Sequence, residues 1–455
     1  MTTGSVADSS DRRWRWETLT GGGALLQEDS FRRLWLGRLF SHTALNATLF
    51  TLLVLAVGEG GGSSIKSALF ITAYLLPTAT LGTISGVLSD QLPKNLVLTA
   101  ANVARAGLMF LILMTSISPW MVYPIALLIA ISSQFAGPTE AAAVPQLVRR
   151  DQLTVAISTS NFGGLVSQIV GFAVLPPLFL NTIGPRPLFL TTAVLFGVSA
   201  VFFLGIQRLG GREIDLGRTI DAVHDVRTQF AEAWEKLRRD TPAYMSVIIF
   251  VLTSTAALVA VTLMPQFTQE TLSIPVSYSI FVFLPAAAGI VAALRLVHLL
   301  ERRVPRVWLV GAGFGLLAAS FVGMGLTRPL GGALEGMNPL GIFDPGPFGD
   351  TTARLIVTII FSTIAAFSFS IVGVAGRSLI NERMPLEIQG RVFAAQVVLA
   401  NLSSIPPILL AGVLSGLAGV EPVMFLTVAI LVATAGWALL RTLSRPELLN
   451  DAEPD

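Results

Sequence analysis

GGREIDLGRTIDAVHDVRTQFAEAWEKLRRDTP, from Gly210 to Pro242, is the long, densely charged interruption in an otherwise oily chain. From about Phe31 up to it, and beyond it to about Leu443, apolar runs alternate with short polar breaks. Charged residues make up 13% of the 455 and hydrophobic residues 53%, against roughly 25% charged in ordinary soluble domains. The recurring runs have the length of about 20 residues that a helix needs to cross about 30 Å of hydrocarbon. The expectation is an all-α, polytopic membrane protein in which this segment joins two membrane-embedded halves.

Working outward, the chain divides into a tail (1–30), a first half (31–209), the linker (210–244), a second half (245–443) and a short tail (444–455). Six spans are expected in each half. They are 34–57, 66–89, 96–116, 121–145, 153–181 and 188–208, then 245–268, 276–300, 306–327, 351–377, 391–418 and 421–443. With both termini in the cytoplasm, Arg32, Arg33, Arg38, Lys94, Arg149, Arg150, Arg302, Arg303 and the linker's basic residues lie inside, while Lys66, Arg186, Arg328 and Arg354 lie outside. That asymmetry follows the positive-inside rule. The expected address is the plasma (inner) membrane. Arg12-Arg13-Trp14-Arg15-Trp16 reads as an interfacial tail, with the first span an uncleaved anchor. The Gly- and Pro-rich loop from Arg328 to Asp350 is expected outside, as an irregular lid or spacer.

The halves echo each other. AAAVPQLVRRDQLTVAISTSN (141–161) and SLINERMPLEIQGRVFAAQ (378–396) both place a proline and a basic turn between two spans. Parallel repeats of this kind are a transporter architecture, with the substrate near the midplane between them. In the linker, Ile220, Val223, Val226, Phe230, Trp234 and Leu237 form a stripe at helical spacing, as on a surface helix that restrains the bundles.

No enzyme signature stands in the chain. His42, His224 and His298 are too scattered for a metal site, and no phosphate-binding loop is present. The chain has no cysteine, which excludes disulfides and thiolate ligands. No metal, cofactor or nucleic acid is expected, and a monomer is.

Gly86-Val-Leu-Ser-Asp90-Gln-Leu-Pro-Lys94 has a glycine four residues before an acid, with a base following, a pattern that can latch helix ends electrostatically. This stretch resembles the Gly-x-x-x-Asp-Arg-x-Gly-Arg-Arg loop of the major facilitator superfamily, with Gln91, Pro93 and Asn95 replacing the usual Arg, Gly and Arg. Phe135-Ala-Gly-Pro138-Thr-Glu140-Ala-Ala-Ala-Val-Pro145-Gln-Leu147-Val148, Pro385-Leu-Glu387-Ile-Gln-Gly390-Arg391-Val392-Phe393 and the opening Phe31-to-Ser41 segment resemble its macrolide-efflux and enterobactin-exporter branch.

The resemblance implies twelve helices in two pseudo-symmetric six-helix bundles, alternating access and proton-driven export of hydrophobic small molecules. It also implies a cytoplasmic latch of Gly86, Asp90 and Lys94 against the eleventh helix, whose N-terminal dipole near Gly390 and Arg391 favours a carboxylate such as Asp90; Glu140 joins this gate by pairing with an arginine. The first-helix acid common in that branch is missing, with Ala44 and Leu45 in its place. Neither does the fifth helix carry the Gly-Pro dipeptide of antiporters, having Gly163-Gly164, Gly171 and Pro176-Pro177 instead.

His42, Asn46 and Phe50 share one helix face by their spacing of four. Glu140 is costly to bury unpaired. Its expected partners are Arg105, Arg377 or Arg391, and its gate role is favoured over proton carriage, with His42 the other proton candidate. Candidate pathway residues are His42, Asn46, Phe50, Gln134, Gln168, Thr253, Phe281, Phe367, Ser368 and Asn401, a set that suits a hydrophobic or amphipathic solute. Gly82 with Gly86, Gly311 with Gly315 and Gly412 with Gly416 read as packing seams. The competing readings are a lysophospholipid transporter and a non-transporting receptor or assembly factor of the same fold.

Overall fold

The computed structural model describes residues 25–58, 63–115, 118–206, 209, 234–336 and 352–443; within it, the side chains of 79, 80, 82–84, 86–90, 280–283, 298, 386, 387, 439 and 441–443 fall outside the description. The described residues are helical, without a strand. In hydrocarbon, backbone groups must be satisfied within the segment itself, and a helix does so. The first half contains α1 (Asp29–Val57), α2 (Ser64–Gln91), α3 (Lys94–Met114), α4 (Val122–Leu147), α5 (Leu153–Thr182) and α6 (Pro185–Leu204). In the second half are α7 (Thr241–Glu270), α8 (Ile280–Leu300), α9 (Arg306–Gly325), α10 (Thr352–Arg383), α11 (Leu386–Ala418) and α12 (Val420–Leu443). Among the described residues, 10 helices are long and apolar enough to cross a membrane; α2 and α8 lie between them in the chain. Outward-facing apolar side chains such as Val201 (71% exposed) and Leu417 (81%) would be untenable in water over so many helices.

Packing partners repeat between the halves. Helix α1 packs on α5 and α6, α2 on α4, and α3 on α4 and α6; correspondingly α7 packs on α11 and α12, α8 on α10, and α9 on α10 and α12. Two turns repeat as well. Gly184, between α5 and α6, has φ 88°, and Gly419, between α11 and α12, has φ 84°; both sit in the left-handed region that side chains other than glycine rarely tolerate.

Helix α5 is built of three pieces, an α-helix Leu153–Gln168, a π-helical turn Ile169–Val174 and an α-helix Leu175–Thr182. Pro176 and Pro177 supply no N–H to the preceding turn, and the register is relaxed there. At this irregularity Gly171 meets α1, where an added Cβ would lie 2.6 Å from both the Thr43 carbonyl and Asn46 Cβ.

The halves meet at the end that holds the α1–α2 and α11–α12 turns. Ser64 donates through Oγ (2.6 Å) and N (3.3 Å) to Gln266 Oε1, and the Gln266 amide donates to Ser415 O (3.0 Å) and Glu270 Oε1 (2.8 Å). Below this, one apolar cluster draws Phe70, Ile71 and Leu75 together with Leu263, Met264 and Ile408. Toward the opposite end the clusters separate by half: one takes Phe31, Leu34, Leu98, Ala143 and Phe203, the other Val247, Ile380, Met384, Ile388 and Val392.

Three expectations change. Helix α4 runs through Pro145 to Leu147 rather than closing at the proline. The loop after α9 opens as a helix, Thr327–Gly336, not as irregular chain, while 337–351 lies outside the described residues. Gly311, Gly315 and Gly416 face open space; within these stretches Gly313, against Val372 and Ile371, and Gly412, against Ala68 and Ser64, are close-packed. Most of the linker stripe, including Ile220 to Phe230, falls outside the described residues. Its end docks on the second half: Leu237 is fully buried with Val247 and Ile380, Trp234 sits edge-on to Tyr244, and Asp240 caps α7 while accepting from Arg383 (3.1 Å).

Candidate functional site

A polar cluster lies inside the first half. Glu140, on α4, is 4% exposed. Its Oε2 accepts from Arg38 Nε (3.0 Å) and lies 2.9 Å from His42 Nε2, one turn further along α1. Arg105, 2% exposed on α3, donates to Ser132 (2.8 Å), Ser133 (2.9 Å) and Ser41 (3.2 Å), and its guanidinium lies over Phe196. Ser41 in turn donates to Asn102. Helices α1, α3 and α4 are thus tied by hydrogen bonds that replace water for two cations and a carboxylate, without which burial would be prohibitive.

The expected partners of Glu140 are therefore corrected. Arg38 and His42 make its hydrogen bonds; Arg105, as expected, interacts electrostatically with Glu140 but gives its hydrogen bonds to hydroxyls, and Arg377 is exposed beside Phe393. Burial selects the partners one helix away on the same half, which need no movement of the other half.

Deeper along α1 and α5 is a cavity of ≈340 Å³ between the halves. Leu49, Phe50, Ile71, Gln168 and Phe172 line it from the first half, Val261, Leu284 and Ile290 from the second. Phe50 meets Phe172 edge-on at 6.3 Å. Gln168 is the polar side chain in an apolar wall, the usual composition of a small-molecule pocket.

Of the predicted pathway residues, Phe50 and Gln168 line this cavity, and His42 lines a small cleft with Trp35, Arg38 and Ser160. Asn46 packs over Gly171. Gln134 donates to Thr78 (2.8 Å), tying α4 to α2. Ser368 is fully buried, its hydroxyl donating to Ile364 O (2.7 Å) on its own helix beside Gly313; Thr253 is also fully buried. Neither lines the cavity: Ser368 bonds its own preceding turn, and the Thr253 hydroxyl is buried with no hydrogen-bond partner among the described residues. Phe367 packs with the apolar cluster around α9 and α10, and Asn401 is half-buried on α11. The side chains of Gly86, Asp90 and Phe281 lie outside the described residues. Lys94 opens α3 as a buried residue, and Gly390 and Arg391 lie in the first turns of α11, Gly390 facing open space. Sequence reading missed Ser64 and Gln266, which join the halves across 202 residues. The available signal was a glutamine within an apolar span.

A model of the Major Facilitator Superfamily matches residues 34–405. The chain belongs to that superfamily. It is a multi-pass membrane protein, and the family together with similar transporter structures supports secondary transport. A mutant of the nucleoside transporter NupG aligns with a TM-score of 0.68 at 11% identity, over 90% of this chain and 99% of that one. A bacterial homologue of the human lysosomal transporter Spinster, inward-facing and unoccupied, aligns with a TM-score of 0.62 at 13% identity, over 91% and 96%. A POT family transporter with a bound thioalcohol-conjugated peptide aligns at 0.62 and 11%, over 92% and 96%. At such identities the likeness is one of fold. No curated protein matches the chain.

Proposed function

We propose that this superfamily member is a secondary exporter of hydrophobic or amphipathic small molecules, including drug-like compounds, in the macrolide-efflux and enterobactin-exporter branch. Twelve spans in two six-helix bundles rock about the cavity by alternating access. Both termini are cytoplasmic and the membrane is the plasma (inner) membrane, as the distribution of basic residues supports. The observation that carries the reading is the ≈340 Å³ apolar cavity, lined from both halves and placed where rocking would expose it to each side in turn. With the termini cytoplasmic, the packed Ser64–Gln266 end faces outward and the cytoplasmic side is the open one. Protons drive the cycle through His42, with Glu140 as its buried counter-ion.

Purified protein in liposomes, tested on drug and lysolipid panels with and without a pH gradient, checks this. Flux of at least one drug-like compound is expected, with a gradient raising it about tenfold in wild type and less than twofold in His42→Asn. Flux confined to lysolipids would favour a lipid transporter, and equal gradient stimulation of the variant would remove the coupling role.

A further inference from the structure

We propose that the substrate carries an anionic head on its apolar body, with the head held by Arg38 and His42 and the body in the ≈340 Å³ cavity. This rests on the transport reading above and narrows its substrate class. The first reason is charge. Across α1 to α6 the sequence holds only Asp29 at the start of α1, Asp90 at the end of α2 and Glu140 as acids, whereas Arg38, His42 and Arg105 gather around Glu140 alone. One carboxylate thus faces two guanidinium groups, Arg38 and Arg105, the second of which donates to neutral serine hydroxyls. The cluster is therefore net positive even with a neutral His42, and a low-dielectric wall strengthens the attraction of an anion.

The second reason is exposure. Glu140 lies at the back, its side chain 5% exposed, while those of Arg38 and His42 are 24% and 38% exposed. Glu140 engages Arg38 through Nε. Among the described residues the two terminal nitrogens of Arg38 have no protein acceptor, and a planar guanidinium edge suits a carboxylate or phosphate. Trp35, Ser160 and Gly163 line a narrow cleft with Arg38 and His42, of ≈10 Å³, so the head would rest at its mouth, where space beside Gly164 is open.

The third is register. The same two helices line both spaces, His42 and Phe50 on α1 and Ser160 and Gln168 on α5. Eight helical residues span about 12 Å, which sets the distance from the head to the apolar pocket and fits a medium alkyl or aromatic body.

The test uses competition against a bound fluorescent probe in purified, detergent-exchanged full-length protein, with four twelve-carbon compounds: dodecyl phosphate, dodecanoate, dodecyltrimethylammonium and dodecanol. The two anions are expected to compete at least tenfold better than the cation and the alcohol. Arg38→Gln should shrink that preference below threefold, and Arg38→Lys should keep most of it. Because the wild-type ranking needs no variant, poor folding of Arg38→Gln leaves the test intact. Equal competition by all four, or preference for the cation or alcohol, overturns the anionic head while leaving hydrophobic export standing. Failure of all four to compete, while drug-panel compounds do, overturns it too; failure of both sets also removes the transport reading.

Discussion

Glu140→Ala is expected to destabilise the folded protein by about 3 kcal/mol, because it removes the carboxylate that Arg38 and His42 bond. The magnitude is set by exposure: Glu140 is nearly sealed, so its loss leaves an empty acceptor site, but Arg38 and His42 retain partial access to solvent and are not stranded in full. Using about 2.1 cal/mol/K of unfolding entropy per residue, the unfolding midpoint falls by about 3 °C for a chain of this length. Glu140→Gln keeps an oxygen acceptor for Arg38 Nε and should lose less than half as much. A thermal melt of the three proteins in one detergent measures both. An unchanged midpoint for Glu140→Ala would mean that the Arg38 and His42 bonds contribute nothing to the first half.

Gly412→Leu has the other large expected effect, on conformation more than on stability. A Cβ at 412 would lie 2.8 Å from Ala68 Cβ, 3.0 Å from Ser64 O and 3.1 Å from Ile65 Cα. Two of those are backbone atoms of α2 and cannot swing aside, so a leucine must part α2 from α11 where the halves are closed. Parting them also stretches the Ser64–Gln266 bonds. Overpacking of this kind costs about 1–3 kcal/mol, and each 1.4 kcal/mol is about a tenfold change in population. Labelling of Ile71→Cys, at the cavity wall, by a membrane-impermeant maleimide from the outside should quicken about tenfold when Gly412→Leu is added. An unaltered rate would place the seal elsewhere.

Much of the fold was legible because apolar runs and breaker residues act locally. The expected span 153–181 is the helix Leu153–Thr182 in its three pieces, and the expected irregularity there falls at Gly171 and the Pro176-Pro177 pair, where the π-helical turn forms. The site was legible only where burial is expensive. Glu140 and His42 stood out because an ionisable group within a span needs a partner. Arg38 did not, because a span read as starting at Leu34 places it at the interface, and its partner Glu140 lies 102 residues away on another helix. Ser368 and Thr253 were read as pathway residues from depth alone, and depth does not say which face a hydroxyl occupies. Ser64 and Gln266 meet through tertiary packing of opposite halves, for which no local pattern exists.

The central claim is that the halves must separate at the Ser64–Gln266 end for substrate to pass. The chain has no native cysteine, so Ala68→Cys with Gly412→Cys would introduce a single pair, and the close approach of the two Cβ positions is bridgeable with a small shift. The decisive measurement is liposome flux of a panel compound that the reduced double variant carries, before and after oxidation, with Gly412→Cys alone as the baseline. Flux is predicted to fall in proportion to cross-linked protein and to return on reduction. Undiminished flux through fully cross-linked protein would contradict the account.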